Sequence, residues 1–267
     1  MFNGNIVTAE VSLNQRSLLI WAFIVIIVVL VYLGSFSFIN NLGIVEMIEE
    51  YPEVLITVLG MTPDRFTDVN RYHGGLVMLY VLLLASIYAM MLAGGMVTRD
   101  VDLGTVEFLY TRPVSRSVIF LSKALAFLIT MTLFWIVIYL ASTAMGIFWV
   151  APGQFDISAQ FTAHLMGYLA CLAAGGTVLA LAPFFNRSQT TTSLAIGLGF
   201  AFFLLNSLAA IYEQLYFLKY LSIHYYADMG GAAVNDPFEL GMIVLPAVFV
   251  VGVATGSLLI RWKNFMV

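Results

Sequence analysis

Six apolar runs, each long enough to cross a bilayer as helix, constrain this chain more than any other feature of its sequence. A hydrocarbon core of roughly 30 Å is spanned by about 20 helical residues. The runs cover about Ser17–Phe38, Gly74–Val97, Val118–Ile147, Phe161–Phe185, Thr190–Tyr212 and Leu240–Ile260. Inside hydrocarbon the backbone must satisfy its own hydrogen bonds, which leaves helices and closed barrels. A barrel needs strands that alternate apolar and polar residues, and these runs are continuous. With 61% hydrophobic and 10% charged residues in 267, and a mean hydropathy of +0.97, the chain lacks the polar surface a soluble domain requires. The fold class is therefore an all-α integral membrane protein with six transmembrane helices, read as one domain over residues 1–267. Met1–Gln15 is mixed and polar, and the first run is too long for a signal core, so no cleaved signal is expected.

The basic residues predict the orientation, because short cytoplasmic loops concentrate Lys and Arg. With both termini inside, Arg16, Arg99, Arg112, Arg116, Lys123, Arg187, Arg261 and Lys263 are cytoplasmic, and Arg65, Arg71 and Lys219 are outside. The reverse orientation inverts that excess. Three segments outside the runs mix aromatic, charged and apolar residues: Phe2–Gln15, Asn40–His73 and Glu213–Glu239. Each reads as short amphipathic helix lying along the membrane surface.

Several chemistries are excluded. A phosphate-cradling loop needs Gly-Lys-Ser/Thr, and the lysines here follow Ser122, Leu218 and Trp262. There is no His-Glu-x-x-His zinc site, and His73, His164 and His224 stand far apart in sequence without metal-ligand spacing. Cys171 is the one cysteine, so no disulfide forms within the chain. The predicted span interiors hold no Asp or Glu, against the mid-membrane relay of a proton-coupled carrier. No metal or cofactor is expected in this chain, and no catalytic residue.

What remains is a polar island between the second and third runs, Thr98 to Ser117, reading TRDVDLGTVEFLYTRPVSRS. Gly104 and Thr105 stand where a short helix could start, with Thr105 as N-cap and Glu107 in a first turn that favours an anion. Phe108 and Leu109 provide an apolar knob. Pro113 ends the segment, Ser115 is placed to cap the third span, and Arg116 holds the inner face. The plainer reading is that Arg99, Arg112 and Arg116 only anchor topology, and that Lys123 snorkels to the surface.

In residue order this island resembles the permease subunits of ABC transporters of the ABC-2 type. Those carry an acidic stretch, then Gly-Thr-x-Glu, hydrophobic residues and Pro-Val-Ser-Arg between their second and third spans. Here the same order reads Arg99-Asp100, Gly104-Thr105-Val106-Glu107, Phe108-Leu109 and Pro113-Val114-Ser115-Arg116, with Asp100 and Asp102 where Glu is more usual. The resemblance implies a cell-membrane exporter permease of bacterial or archaeal type and no enzyme activity of its own. Two permease copies, identical or related, would pair with separate ATPase subunits that bind ATP and Mg. The island would form a coupling helix seated in the ATPase, and a pathway between the copies would be lined partly by the second and fifth spans. Tyr88 and Asn206 are the lining candidates, although Asn206 fits helix packing better. A membrane sensor or scaffold that uses an ATPase to move its outer segments, and a stand-alone carrier, stay open as alternatives. The pairs Gly94-Gly95, Gly175-Gly176 and Gly252-x-x-x-Gly256 mark close helix approach or a dimer contact. His164 reads as an interfacial residue, and the thirteen methionines as packing residues.

Overall fold

A computed structural model describes residues 2–41, 47–48, 50–66, 68–105, 114–150 and 152–263. Among these residues six helices are long and apolar enough to cross a membrane, and no strand occurs. They are α1 (Gly4–Asn41), α2 (Val69–Asp102), α3 (Arg116–Trp149), α4 (Ile157–Leu181), α5 (Ser188–Ile211) and α6 (Glu239–Trp262). Each coincides with one of the predicted runs. The chain is thus an all-helical, multi-pass membrane protein. Helices α2 and α4 form the centre, with 72% and 67% of their most apolar windows buried, against 22–28% for α1, α5 and α6.

Phe2–Gln15 does not form a separate surface helix. From Gly4 it is the first part of α1, one continuous helix of 38 residues, about 57 Å long at 1.5 Å per residue. It runs parallel to α3. The Asn3 backbone N–H donates to Ser122 Oγ at 2.8 Å, and at the other end Gly34 lies against the Trp149 ring. The reason is electrostatic: Glu10 finds cationic partners on α2 and α3, which draws this segment into the bundle.

The tightest seam joins α4 to α6. A Cβ placed on Gly252 would sit 2.2 Å from Gly176 O, and one on Gly256 would sit 2.4 Å from Leu179 O. In hydrocarbon, helices gain little by leaving lipid for one another, so association depends on such close van der Waals approach. The predicted Gly252-x-x-x-Gly256 contact is therefore made within the chain. Gly176 faces Phe249 and Gly252, while Gly175 packs under the Phe127 ring.

Asp156 starts α4. Its carboxylate accepts hydrogen bonds from the backbone of Ser158 (2.9 Å) and Ala159 (3.1 Å), and from Asn235 Nδ2 (3.1 Å). The Ala159 bond is the largest cause holding its pKa below the ordinary carboxylate value, followed by Asn235. A depressed pKa in the folded state gives stability that is present above the unfolded value of about 4. That stability is lost as pH falls through the folded value. Asp156→Ala is expected to cost about 1 kcal/mol in a detergent unfolding titration at pH 7. Asp156→Asn should cost less, and the difference between wild type and Asp156→Ala should shrink below about pH 4.

The connections at the far end, opposite residues 98–105, hold short helices as expected: Glu53–Leu59, and 3-10 turns at Pro63–Phe66 and Glu213–Leu221. The second connection then departs from a surface position. Its short helices Ile223–Ala227 and Met229–Ala232 bury Ile223, His224, Ala227, Met229 and Ala232, packing against α4. Small side chains permit this entry, since a Cβ on Gly74 of α2 would meet Ala233 Cβ at 2.1 Å. Burial lowers the His224 pKa to about 4, so the ring is neutral at pH 7. On the first connection, Arg65 clamps the chain by donating from Nη1 to Gly60 O (3.1 Å) and Gly75 O (2.6 Å).

Candidate functional site

The polar island leaves α2 through a closed cap. Gly104 adopts φ +68°, the left-handed conformation that suits glycine at a helix end. The Thr105 N–H reaches back to Asp100 O at 2.9 Å and the Gly104 N–H to Val101 O at 3.2 Å, the paired bonds of a Schellman motif. Gly104 and Thr105 therefore finish α2, and the helix expected to start from them falls on residues outside those described. The Thr105 hydroxyl also donates to Asp100 O at 3.3 Å. Glu107, Phe108, Leu109, Arg112 and Pro113 lie outside the described residues, and with them the expected helical knob and stop. Beyond them Ser115 caps α3 as expected, accepting from the Val118 N–H at 3.4 Å.

The two described feet of the island are bonded to most of the bundle. Arg99 forms an ion pair with Glu10 of α1 and donates to Asn14 Oδ1 at 3.4 Å. Asp100 pairs with Lys123 of α3. Asp102 Oδ2 accepts from the Ser188 N–H, the first residue of α5, at 3.3 Å. Arg116 Nη1 donates to Lys263 O, just beyond α6, at 2.5 Å. Ser117 Oγ accepts from Arg261 Nε of α6 at 2.7 Å. Thr98, fully buried, bonds Gly94 O at 2.9 Å and Thr191 Oγ1 at 3.2 Å.

At the centre of these bonds is a cluster that the sequence did not reveal. Lys123, 4% exposed, lies 3.1 Å from Glu10 Oε1, while Glu10 is itself 6% exposed. Lys123 also donates to Met96 O and pairs with Asp100. Arg99 closes the set on the other oxygen of Glu10. Two cations and two carboxylates from three helices thus neutralise one another, Lys123 and Glu10 buried and Arg99 and Asp100 partly exposed. Lys123 is a buried member of this cluster rather than a snorkelling residue, and Arg99 does more than anchor topology. The signal available in the sequence was depth: Glu10 precedes the first span, Arg99 ends the second and Lys123 opens the third, all at one level.

The two pathway candidates are not brought together. Tyr88 is 1% exposed and stacks on Trp21 at 5.5 Å between ring centres. It borders a cavity of about 200 Å³ with Ser17, Gly95, Arg99 and Ser188. On α5, Gly199 abuts Ile87 and Thr191 abuts Gly94. That register places the half-buried Asn206 about 10 Å farther along, at seven residues of 1.5 Å each.

His164 is buried inside the bundle. It is 3% exposed and stacks on His73, with ring centres 5.6 Å apart. Gln160 holds both rings, through Oε1 to His73 Nδ1 and through its backbone oxygen to His164 Nδ1, each at 2.7 Å. A π-helical turn at Tyr72–Val77 in α2 carries His73. Among the described residues no group of three or more His, Cys, Asp or Glu side chains is arranged to hold a metal ion.

Residues 5–259 match the protein family described as ABC-2 family transporter protein. The chain is also similar, at 25% identity over 135 residues, to YhcI of Bacillus subtilis (strain 168), a protein described as uncharacterized. That match covers 46% of this chain and 43% of YhcI. A six-helix bundle matched by that family over nearly its whole length identifies the chain as a member of the ABC-2 family of transporter proteins, whose members are membrane permeases and not themselves catalytic.

Proposed function

We propose that this chain forms the translocation pathway of an exporter driven by separate ATPase subunits that bind ATP and Mg. Those subunits would dock on the loop over residues 98–117. Both termini and this loop face the cytoplasm in this reading, and a second permease copy, identical or related, completes the pathway. One observation carries it. The feet of the loop are bonded to α1, α3, α5 and the end of α6, so a force applied there reaches four helices at once. The excess of Lys and Arg at that end supports the cytoplasmic assignment. The absence of any Gly-Lys in the sequence supports a separate energy source. Apolar faces remain for a second copy and for lipid, among them α5 with Ile196, Phe200 and Leu204 and α1 with Leu19, Ile20 and Phe23.

Gly104→Pro and Glu107→Ala test the docking assignment. Proline fixes φ near −65° and has no N–H, so it fits neither φ +68° nor the bond to Val101 O. The chain is purified from its native membrane, and the ATPase subunits that accompany it are quantified. Both variants are expected to insert normally and to lose most of the bound ATPase, or to retain it with hydrolysis no longer stimulated by cargo. Undiminished ATPase recovery and stimulation in both would make the island a topology anchor only.

A further inference from the structure

The exporter reading says where a force enters and leaves open which helix it moves. We infer that the ring formed by Arg99, Glu10, Lys123 and Asp100 is the joint that passes displacement of the loop to α1. This inference rests on the proposed docking of an ATPase at residues 98–117.

Three properties of the ring support the role. It is closed: Arg99 pairs with Glu10, Glu10 with Lys123, and Lys123 with Asp100, which is adjacent to Arg99 in the last turn of α2. Moving that turn therefore pulls on α1 directly through Glu10 and indirectly through α3. It is also stiff at its centre, because Lys123 and Glu10 are nearly out of water, where charges interact strongly and at short, directional contacts. Farther along, α1 is held by uncharged contacts: Trp21 stacks on Tyr88, Tyr32 on Tyr80, and Gly34 lies against Trp149. Apolar side chains exchange lipid for protein at little net cost. Among the described residues, the ion pairs of α1 are all in the ring.

The third property is clearance. Beside the ring lies a half-open surface pocket of about 310 Å³, bounded by Asn3, Ile6, Glu10, Asp100, Val114 and Lys123, with the exposed Leu13 at its rim. Val114 belongs to the second foot of the loop, so the two feet and the base of α1 share one open space. The competing explanation is that the ring only fastens three helices together. Fastening requires neither the pocket nor a bond between the last turn of α2 and the least buried helices.

The test uses the complex as purified from its native membrane, reconstituted in lipid nanodiscs. A reporter cysteine replaces Phe38, which is 65% exposed near the far end of α1. It is about 42 Å along the helix from Glu10, at 28 residues of 1.5 Å each. Cys171 is buried and adds little background. Labelling by a membrane-impermeant maleimide is compared without nucleotide and with ATP plus vanadate. In the Phe38→Cys parent the labelling rate is expected to change about fivefold or more on trapping. Adding Glu10→Gln should abolish most of that change while the ATPase stays bound and hydrolyses ATP, and Glu10→Asp should preserve it. Glu10→Leu breaks the ring at the same residue, outside the docking loop, and replaces Glu10→Gln if the latter fails to insert. An undiminished change in the broken ring, or no nucleotide-dependent change in the parent, overturns the joint and leaves the exporter reading standing. Failure of any ATPase to accompany the wild-type chain overturns that reading and the joint together.

Discussion

Lys123→Met is expected to lower the stability of the folded bundle by about 3–5 kcal/mol, the range for removing one partner from a buried ion pair. The loss does not reflect a large net gain from the ion pairs themselves, since desolvation offsets most of it. It arises because Glu10 is left as a buried carboxylate facing the partly exposed Asp100 without the ammonium between them. Arg99 reaches Glu10 but makes no ion pair with Asp100. The double variant Glu10→Gln/Lys123→Met should lose less than the sum of its single variants, by about 0.5–3 kcal/mol, because one unpaired charge is removed with the other. Lys123→Arg should remain closer to wild type. A denaturant titration in detergent, followed by tryptophan fluorescence, reads all of these. A cost for Lys123→Met below about 1 kcal/mol, the level of an exposed pair, would place the cluster in contact with water.

The second large effect is steric. Gly252→Leu should prevent α4 and α6 from meeting, because even a single Cβ on Gly252 would lie 2.2 Å from Gly176 O. The obstacle is backbone, so no side-chain rotation relieves it. Overpacking typically costs 1–3 kcal/mol and occasionally more, and a whole isobutyl group at a backbone–backbone contact belongs at or above the top of that range. Gly197→Leu is the matched control, since nothing lies within 4 Å of a Cβ there. It should be nearly neutral in a membrane, where added apolar area meets lipid. Equal yields and equal melting temperatures for the two variants would contradict the seam.

The parts legible in the sequence were those imposed by the solvent. Hydrocarbon demands long, continuous, self-bonded helices, so all six spans could be placed from composition along the chain, and Ser115 could be named as a cap from its position before an apolar run. Features that depend on a distant partner were not legible. Whether Phe2–Gln15 lies flat or enters the bundle turns on Glu10 meeting Lys123 and Arg99, and no local pattern states that pairing. That Gly104-Thr105 closes α2 shows only in the bonds back to Asp100 and Val101. His73 and His164 are distant in sequence, and the π-turn that brings their rings together has no reliable sequence signature. Five of the twelve motif residues (Val106, Glu107, Phe108, Leu109 and Pro113) lie outside the described residues, so their order is legible in the sequence and their geometry is not described.

The close contact between α4 and α6 also bears on the order in which the molecule is made. Helix α4 occupies the centre of the bundle, yet at its tightest seam it meets α6, which is synthesised only after α5. The contact of Arg116 with the backbone of Lys263 likewise joins α3 to a segment made after α6. Helices α1 to α5 are therefore made with a glycine-lined groove on α4 still unfilled. A ribosome stalled before α6 would leave a chain inserted in the membrane with that groove open.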